Sequence, residues 1–425
     1  MIFGAIADDL TGAVELAGML AAGGVGVALV TSPERIAAAA ARDAVVVALR
    51  SRVAPAAEAV AAFEETGRAL LAQGVRQLFF KYCATFDSTP DGNIGPCADA
   101  LDRLTGDTGA LFCPTFPEPG RTVYRGHHFV GDQLLSDSPK RDDPLTPMRE
   151  SNLVKVLQAQ TKTPVGLVCF ETVRAGPAAV LSAWNGLRAE GARFAIVDAI
   201  THDDLRAIAQ ATVGQPFMTG GSSIAWHYPA LWRAKGWIDA ARDTRVVFPA
   251  GPAAVLAGSC ADRTREQIAV FAQHHPVLHL DLLDGDDAGQ MAARAAVWAI
   301  GRQHEPVCVT TAGDPAMVAA AQARFGRAGA ARRAEDILSL LARHLVARGF
   351  RRLLVAGGET SGAVVEALGI DALDVAPYAQ PGVGLCRAEA PDPLGLCLKS
   401  GKLGAPDMFL TALANMGLAD VGAAA

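Results

Sequence analysis

Short apolar runs alternate with longer stretches whose apolar residues recur every three or four positions, and the alternation persists along the chain. Residues 2–7, 27–31, 44–49, 77–80, 111–113, 165–169, 194–198 and 217–219 read as strands, with helical spacing at 13–22, 56–72 and around 152–160. The second half restarts the pattern. Strands are expected at 253–257, 277–280, 306–310, 353–355 and 394–399, and helices at 263–271, 287–300 and 334–347. A further helix follows the glycine-rich turn after 353–355, with Val364, Ala367 and Leu368 on its apolar face. Continuous apolar strands separated by helices mark parallel sheets covered on both faces. Residues 236–252 lack clean periodicity and carry mixed charge. The expectation is therefore an α/β protein of two α/β domains with mainly parallel sheets: residues 1–235, a linker at 236–252, and residues 253–425. Residues 114–152 read as one long irregular region that could serve as a lid or as the contact of a homo-oligomer.

Composition narrows the partners. With 425 residues, 51% hydrophobic and 19% charged, the chain has ample apolar material for two cores. Its net charge of −6 argues against a nucleic-acid or anionic-membrane surface, which wants clustered Lys and Arg. The eight cysteines are scattered, without CxxC spacing or a histidine at zinc-finger distance, and read as reduced buried residues. No basic leader precedes the first strand, and no apolar run approaches the ~20 residues of a membrane helix. A cytoplasmic protein without membrane or nucleic-acid partners is expected.

Chemistry concentrates at strand ends, where ligands of parallel α/β sheets bind. Asp8 and Asp9 close the first strand, and Thr11 could cap the helix behind them. A plain helix cap would need only one of the two carboxylates. Arg52 follows the third strand, and Lys81 ends the fourth, at the head of a polar loop containing Asp87. The 111–113 strand leads into Arg121, Arg125 and His127. Cations, a carboxylate and hydroxyls at one edge suit a small polyhydroxy acid: Arg52, Lys81 and Arg121 for its carboxylate, Asp87 for its hydroxyls, His127 for positioning. In the second half, three strand ends carry Gly/Ser/Thr turns at 258–260, 357–362 and 400–404, suited to phosphate. The P-loop, G-x-G-x-x-G, H-E-x-x-H and G-x-S-x-G signatures are missing. Phosphate turns in one half and a carboxylate- and hydroxyl-rich edge in the other fit phosphoryl transfer.

Four stretches in order, ADDLTGA at 7–13, DSTPDGNIGP at 87–96, GGETSGA at 357–363 and LKSGKLGAPDMF at 398–409, resemble the four-carbon acid sugar kinases over nearly the whole length. Residues 81–96, 114–132 and 144–157 are most similar to the branch acting on 3-oxo-tetronates. The resemblance implies an N-terminal acid-sugar-binding domain, a C-terminal nucleotide-binding domain and an active site in the cleft between them. It further implies ATP, with Mg²⁺, as phosphoryl donor to the terminal 4-hydroxyl of a 3-oxo-tetronate. Carried over by motif, Ser259, Gly357, Gly358, Glu359, Thr360 and Gly401 would hold ATP. Leu10, Glu15, Lys402 and Leu403 depart from residues common in the family, and Lys402 adds a charge beside the expected phosphates. Asp9 or Asp8 is the expected general base or ligand of a Mg²⁺-bound water; no resident metal site is assigned. The competing readings are a sibling kinase for D-threonate or D-erythronate and, more distantly, a non-catalytic nucleotide- or sugar-acid-binding protein.

Overall fold

Strands buried on both faces need helices above and below them, and the sequence supplies helices between most of its parallel strands. The computed structural model describes residues 1–143, 145–389 and 392–417; Pro144, the first residue of the 144–157 stretch, lies outside these. The chain divides into units 1–244 and 245–425. In the first unit the strands are β1 (Phe3–Ala7), β2 (Val27–Val30), β3 (Ala44–Ala48), β4 (Gln77–Lys81), β5 (Ala110–Cys113), β6 (Arg121–Tyr124), β7 (His127–Val130), β8 (Gln133–Leu134), β9 (Val165–Val168), β10 (Phe194–Val197) and β11 (Phe217–Gly220). Its helices are α1 (Leu10–Ala22), α2 (Ala56–Ala72), α3 (Ile94–Leu104), α4 (Leu153–Gln158), α5 (Phe170–Arg174), α6 (Pro177–Ala189), α7 (His202–Thr212) and α8 (Tyr228–Ala234).

The main sheet of this unit runs β2-β3-β1-β4-β11-β5-β10-β9, and every pairing in it is parallel. Phe3, Phe79, Tyr228 and Trp232 pack on one face, with Tyr228 and Trp232 stacked 5.6 Å apart. Phe63, Phe80, Tyr82, Phe86 and Phe112 pack together elsewhere in the core. The expected irregular region instead contains a small antiparallel sheet, β6-β7-β8. Its strands are two to four residues long and only partly buried, so they lack the apolar run that reveals a core strand. Residues 236–244 carry no helix or strand, yet Arg242 N donates to Gly24 O and Thr244 Oγ1 to Ala21 O, fixing them to the first unit.

The second unit contains β12 (Ala253–Ala257), β13 (Val277–His279), β14 (Val307–Thr310), β15 (Arg352–Ala356), β16 (Ala372–Val375), β17 (Val383–Ala388) and β18 (Leu394–Lys399). Its helices are α9 (Asp262–Phe271), α10 (Ala288–Ile300), α11 (Pro315–Ala347), α12 (Gly358–Ala367) and α13 (Met408–Asn415). The order β13-β14-β12-β15-β18 is parallel, and β17 and β16 extend it antiparallel. Helix α11 begins at Pro315, well before the expected 334, and breaks at Gly326, whose φ of 71° is left-handed. Its first half is exposed and rich in alanine, so no apolar stripe announces it. Among the described residues no helix is long and apolar enough to cross a membrane.

Candidate active site

Register brings the first set of polar residues together. In the sheet Ala7 lies opposite both Ala48 and Lys81, so β1, β3 and β4 end level. The chains leaving them cross-bond at once: Asp8 N donates to Lys81 O, while Ser51 N and Arg52 N donate to Asp8 O. Asp8, Asp9, Arg52 and Lys81 thereby gather at the carboxyl edge of three adjacent strands.

Within that edge Arg52 spans the two aspartates. Its Nε and Nη2 reach Asp8 Oδ2 and Oδ1 at 2.9 and 2.8 Å, and Nη2 also lies 2.9 Å from Asp9 Oδ1. Arg52 is thus committed to carboxylates of the protein itself, whereas the sequence reading placed it on a substrate carboxylate. Asp9, not Thr11, is the N-cap of α1: its Oδ1 accepts from Gly12 N at 2.8 Å, and Thr11 Oγ1 donates to its Oδ2 at 2.7 Å. Burial pushes the Asp9 carboxyl up, but the charges of Arg52 and Lys81, helped by the Thr11 and Gly12 bonds, hold it below the usual carboxylate range. Lys81 is buried, and its Nζ makes its one hydrogen bond among the described residues to Tyr82 O, at 2.7 Å. Gly12 packs so tightly here that a Cβ would stand 2.5 Å from Asp9 Oδ1 and 2.7 Å from Lys81 Nζ.

The polar loop after β4 adds Asp87. Phe86 sits in the left-handed region at φ 52°, an uncommon place for a bulky residue, and its ring is anchored against Tyr82 at 5.1 Å. Thr85 Oγ1 and Lys140 Nζ each donate to Asp87 at 2.6 Å. Burial raises the Asp87 carboxyl, and Lys140 and Arg52 together outweigh that and hold it low. The sequence reading missed Lys140: it lies 53 residues away in a short 3₁₀ turn, and no spacing rule links it to Asp87. Asn93 and Gln160 brace the loop. Asn93 Nδ2 donates to Ser51 O and Ala54 O, and Gln160 Nε2 to Ser88 Oγ and Thr89 O.

In the small sheet, Arg121 pairs with Val130 and Val123 with His128. This register puts Arg121 and His128 on one face and His127 on the other. Arg121 Nη1 donates to Pro119 O at 2.7 Å, and no carboxylate pairs with it among the described residues. His127 is not brought to the cluster; its Nδ1 bonds only the Arg125 carbonyl, at 2.9 Å. The fully buried His128 is held neutral: burial and then Arg121 push it down to about 3, against Asp87. Arg125 is exposed and paired with Glu171, so it does not act beside Arg121.

The second set lies in the other unit. Ala257 is opposite Ala356, and Ala356 opposite Lys399, so β12, β15 and β18 also end level. Gly258 N donates to Ala356 O at 3.1 Å and Gly357 N to Lys399 O at 2.9 Å. The three turns touch where glycine allows it. A Cβ on Gly401 would stand 2.2 Å from Ser259 Oγ, and one on Gly258 2.3 Å from Thr360 Oγ1. Gly357 takes φ 131°, a conformation open to glycine, and leads into α12, whose N-terminus has no side-chain cap. Ser259, Gly357, Gly358, Thr360 and Gly401 are therefore one constellation of hydroxyls and turn backbone around the uncapped start of α12, with Glu359 exposed in its first turn. Such an arrangement binds anions, phosphate above all.

Residues 3–228 match the family model described as a sugar-binding N-terminal domain, and residues 254–409 that of a nucleotide-binding C-terminal domain. The chain is similar to a 3-oxo-tetronate kinase of Burkholderia multivorans, 44% identical over 414 residues that cover 97% of this chain and 96% of the relative. A 3-oxo-tetronate kinase of Salmonella typhimurium is 36% identical over 420 residues, covering 96% and 98%. A crystal structure from Salmonella typhimurium LT2 superposes with a TM-score of 0.84 at 34% identity, covering 96% of this chain and 98% of that one. Two strand-end clusters, one in each matched domain, and similarity over nearly the whole length lead to one conclusion: the chain belongs to the four-carbon acid sugar kinase family.

Proposed function

We propose that this chain is an ATP-dependent kinase that transfers the γ-phosphate of ATP to the terminal 4-hydroxyl of a 3-oxo-tetronate, giving the 4-phosphate, ADP and a proton. The observation that carries the reading is the 44% identity, over 97% of the chain, to a relative named 3-oxo-tetronate kinase. The chemistry of the two clusters supports it.

The substrate offers a carboxylate, a 2-hydroxyl, a ketone and a primary 4-hydroxyl. Lys81, with N–H groups to spare, and Arg121, without a carboxylate partner, suit the carboxylate. Asp87 suits a hydroxyl, since Thr85 and Lys140 keep it ionised and oriented. Arg52 is assigned to fixing Asp8 and Asp9 in place of a substrate contact. Asp9 or Asp8 would orient the 4-hydroxyl or a metal-bound water. The Asp9 carboxyl, held low by Arg52 and Lys81, stays charged near neutral pH and would accept the proton only as the oxygen bonds to phosphorus. The turns at Ser259, Gly357–Thr360 and Gly401 would take the nucleotide phosphates through backbone amides and hydroxyls.

The donor set fits a Mg²⁺ ion that arrives with the nucleotide. Such an ion keeps most of its waters and needs only one or two carboxylates, and among the described residues no three His, Cys, Asp or Glu side chains converge. The partly exposed Asp9 and the buried Asp8 would hold its water shell, and the metal would neutralise charge on the transferring phosphoryl group.

The position of transfer is open to direct test. Phosphorus coupled to a methylene in the NMR spectrum of the product identifies an ester on C4. Coupling to a single methine proton, as for an ester on C2, would overturn the assignment.

A further inference from the structure

Lys399 closes β18 with a fully buried side chain that none of the roles above uses. Its Nζ donates to Ser400 O at 2.7 Å, to Gly401 O at 3.1 Å and to Thr264 Oγ1 at 3.2 Å. Thr264, itself fully buried on α9, donates its hydroxyl hydrogen bond to Gly401 O at 2.8 Å. Burying an ammonium is costly unless its donors are met, and here three acceptors meet the three N–H groups. Two successive carbonyls of the turn that presses on Ser259 are thus drawn onto one cation, while the Gly401 amide donates to no acceptor among the described residues. Carbonyl dipoles aimed at a phosphate repel it, and amide dipoles attract it.

We propose that Lys399 is a positioning residue of the nucleotide site, whose ammonium gathers the Ser400 and Gly401 carbonyls so that the turn offers the Gly401 amide to the nucleotide phosphates. The inference rests on placing the nucleotide at the strand-end turns of the second unit. It adds a consequence for pH. Burial draws the Lys399 ammonium down to about 8, opposed by the Cys397 thiol and aided by the Arg263 guanidinium of α9. Its strand partners, Ala356 on β15 and Val383 on β17, carry no charge. As pH rises through that value the cation is lost, the grip on the two carbonyls weakens, and nucleotide affinity should fall with it.

The test is calorimetric binding of ADP to the full-length chain at pH ~7 and ~9.5, for the wild type and for Lys399→Met. Losing a charge-assisted contact predicts ADP binding to K399M about tenfold or more weaker at the lower pH, with the KM for the acid sugar unchanged. The wild type should lose comparable affinity across the pH rise, and K399M should be insensitive to it. A general structural defect would lower the melting temperature without producing this pH signature. A folded K399M that binds ADP as tightly as the wild type, or a wild-type affinity flat with pH, overturns the proposal. The wild-type series stands even should K399M fail to fold, and Thr264→Val, which removes one of the three acceptors, gives a milder version of the same loss. No ADP binding by the wild type at any pH would sink the placement of the nucleotide itself, and this inference with it.

Discussion

Gly12 shows how much the candidate site asks of a single residue. Gly12 is the third residue of α1, and alanine is ordinarily the better helix former than glycine. Here the added methyl would meet both Asp9 Oδ1 and Lys81 Nζ well inside contact distance. Gly12→Ala should therefore keep its helical circular dichroism yet lose about 10²-fold in kcat/KM for the acid sugar, because the two groups must move apart. Wild-type kinetics in that variant would remove Asp9 and Lys81 from the site. The Asp87–Lys140 pair is largely buried, and its loss should be felt in stability. Lys140→Met strands a buried carboxylate and should cost about 3 kcal/mol in urea unfolding at neutral pH. The sign of its pH dependence follows from the depressed Asp87 carboxyl. In the wild type that stabilisation is complete above the ordinary value of 3.8 and is lost as pH falls through the lower folded value. Without Lys140 the carboxyl rises, so acid unfolding should begin at higher pH, and coincident acid transitions would contradict the pairing.

At the scale of elements, the site exists because neighbouring parallel strands end level. Gly401→Ala tests this in the second unit. The methyl would collide with Ser259, push the turns after β12 and β18 apart, and raise the KM for ATP about tenfold while leaving that for the acid sugar alone. Unchanged nucleotide kinetics would move the phosphates elsewhere. Most of this architecture was legible in the sequence. Helix 56–72 and the strands at 253–257 and 394–399 fall where periodicity puts them, since each carries a strong apolar signal bounded by turn residues. The small antiparallel sheet and the first half of α11 were not legible, because neither buries a continuous apolar face. The sheet matters most for the site. Only its register shows that His128 and not His127 shares a face with Arg121. Composition finds polar residues near a strand end, but it does not say which ones already answer one another, as Arg52 answers Asp8 and Asp9.

For the whole molecule, each unit carries its own hydrophobic core and its own cluster of strand-end chemistry, and each matches its own family model. One cluster offers cations and carboxylates for a small polyhydroxy acid; the other offers glycine amides and hydroxyls for phosphate. That division of labour is what a kinase for a four-carbon acid sugar requires. The most direct measurement is ADP release with Mg²⁺ and ATP, comparing freshly generated 3-oxo-tetronate with D-threonate and D-erythronate. Turnover confined to the oxo acid is the predicted result. Preferential turnover of a plain tetronate would contradict the substrate assignment, and no ADP with any of them would contradict the kinase itself.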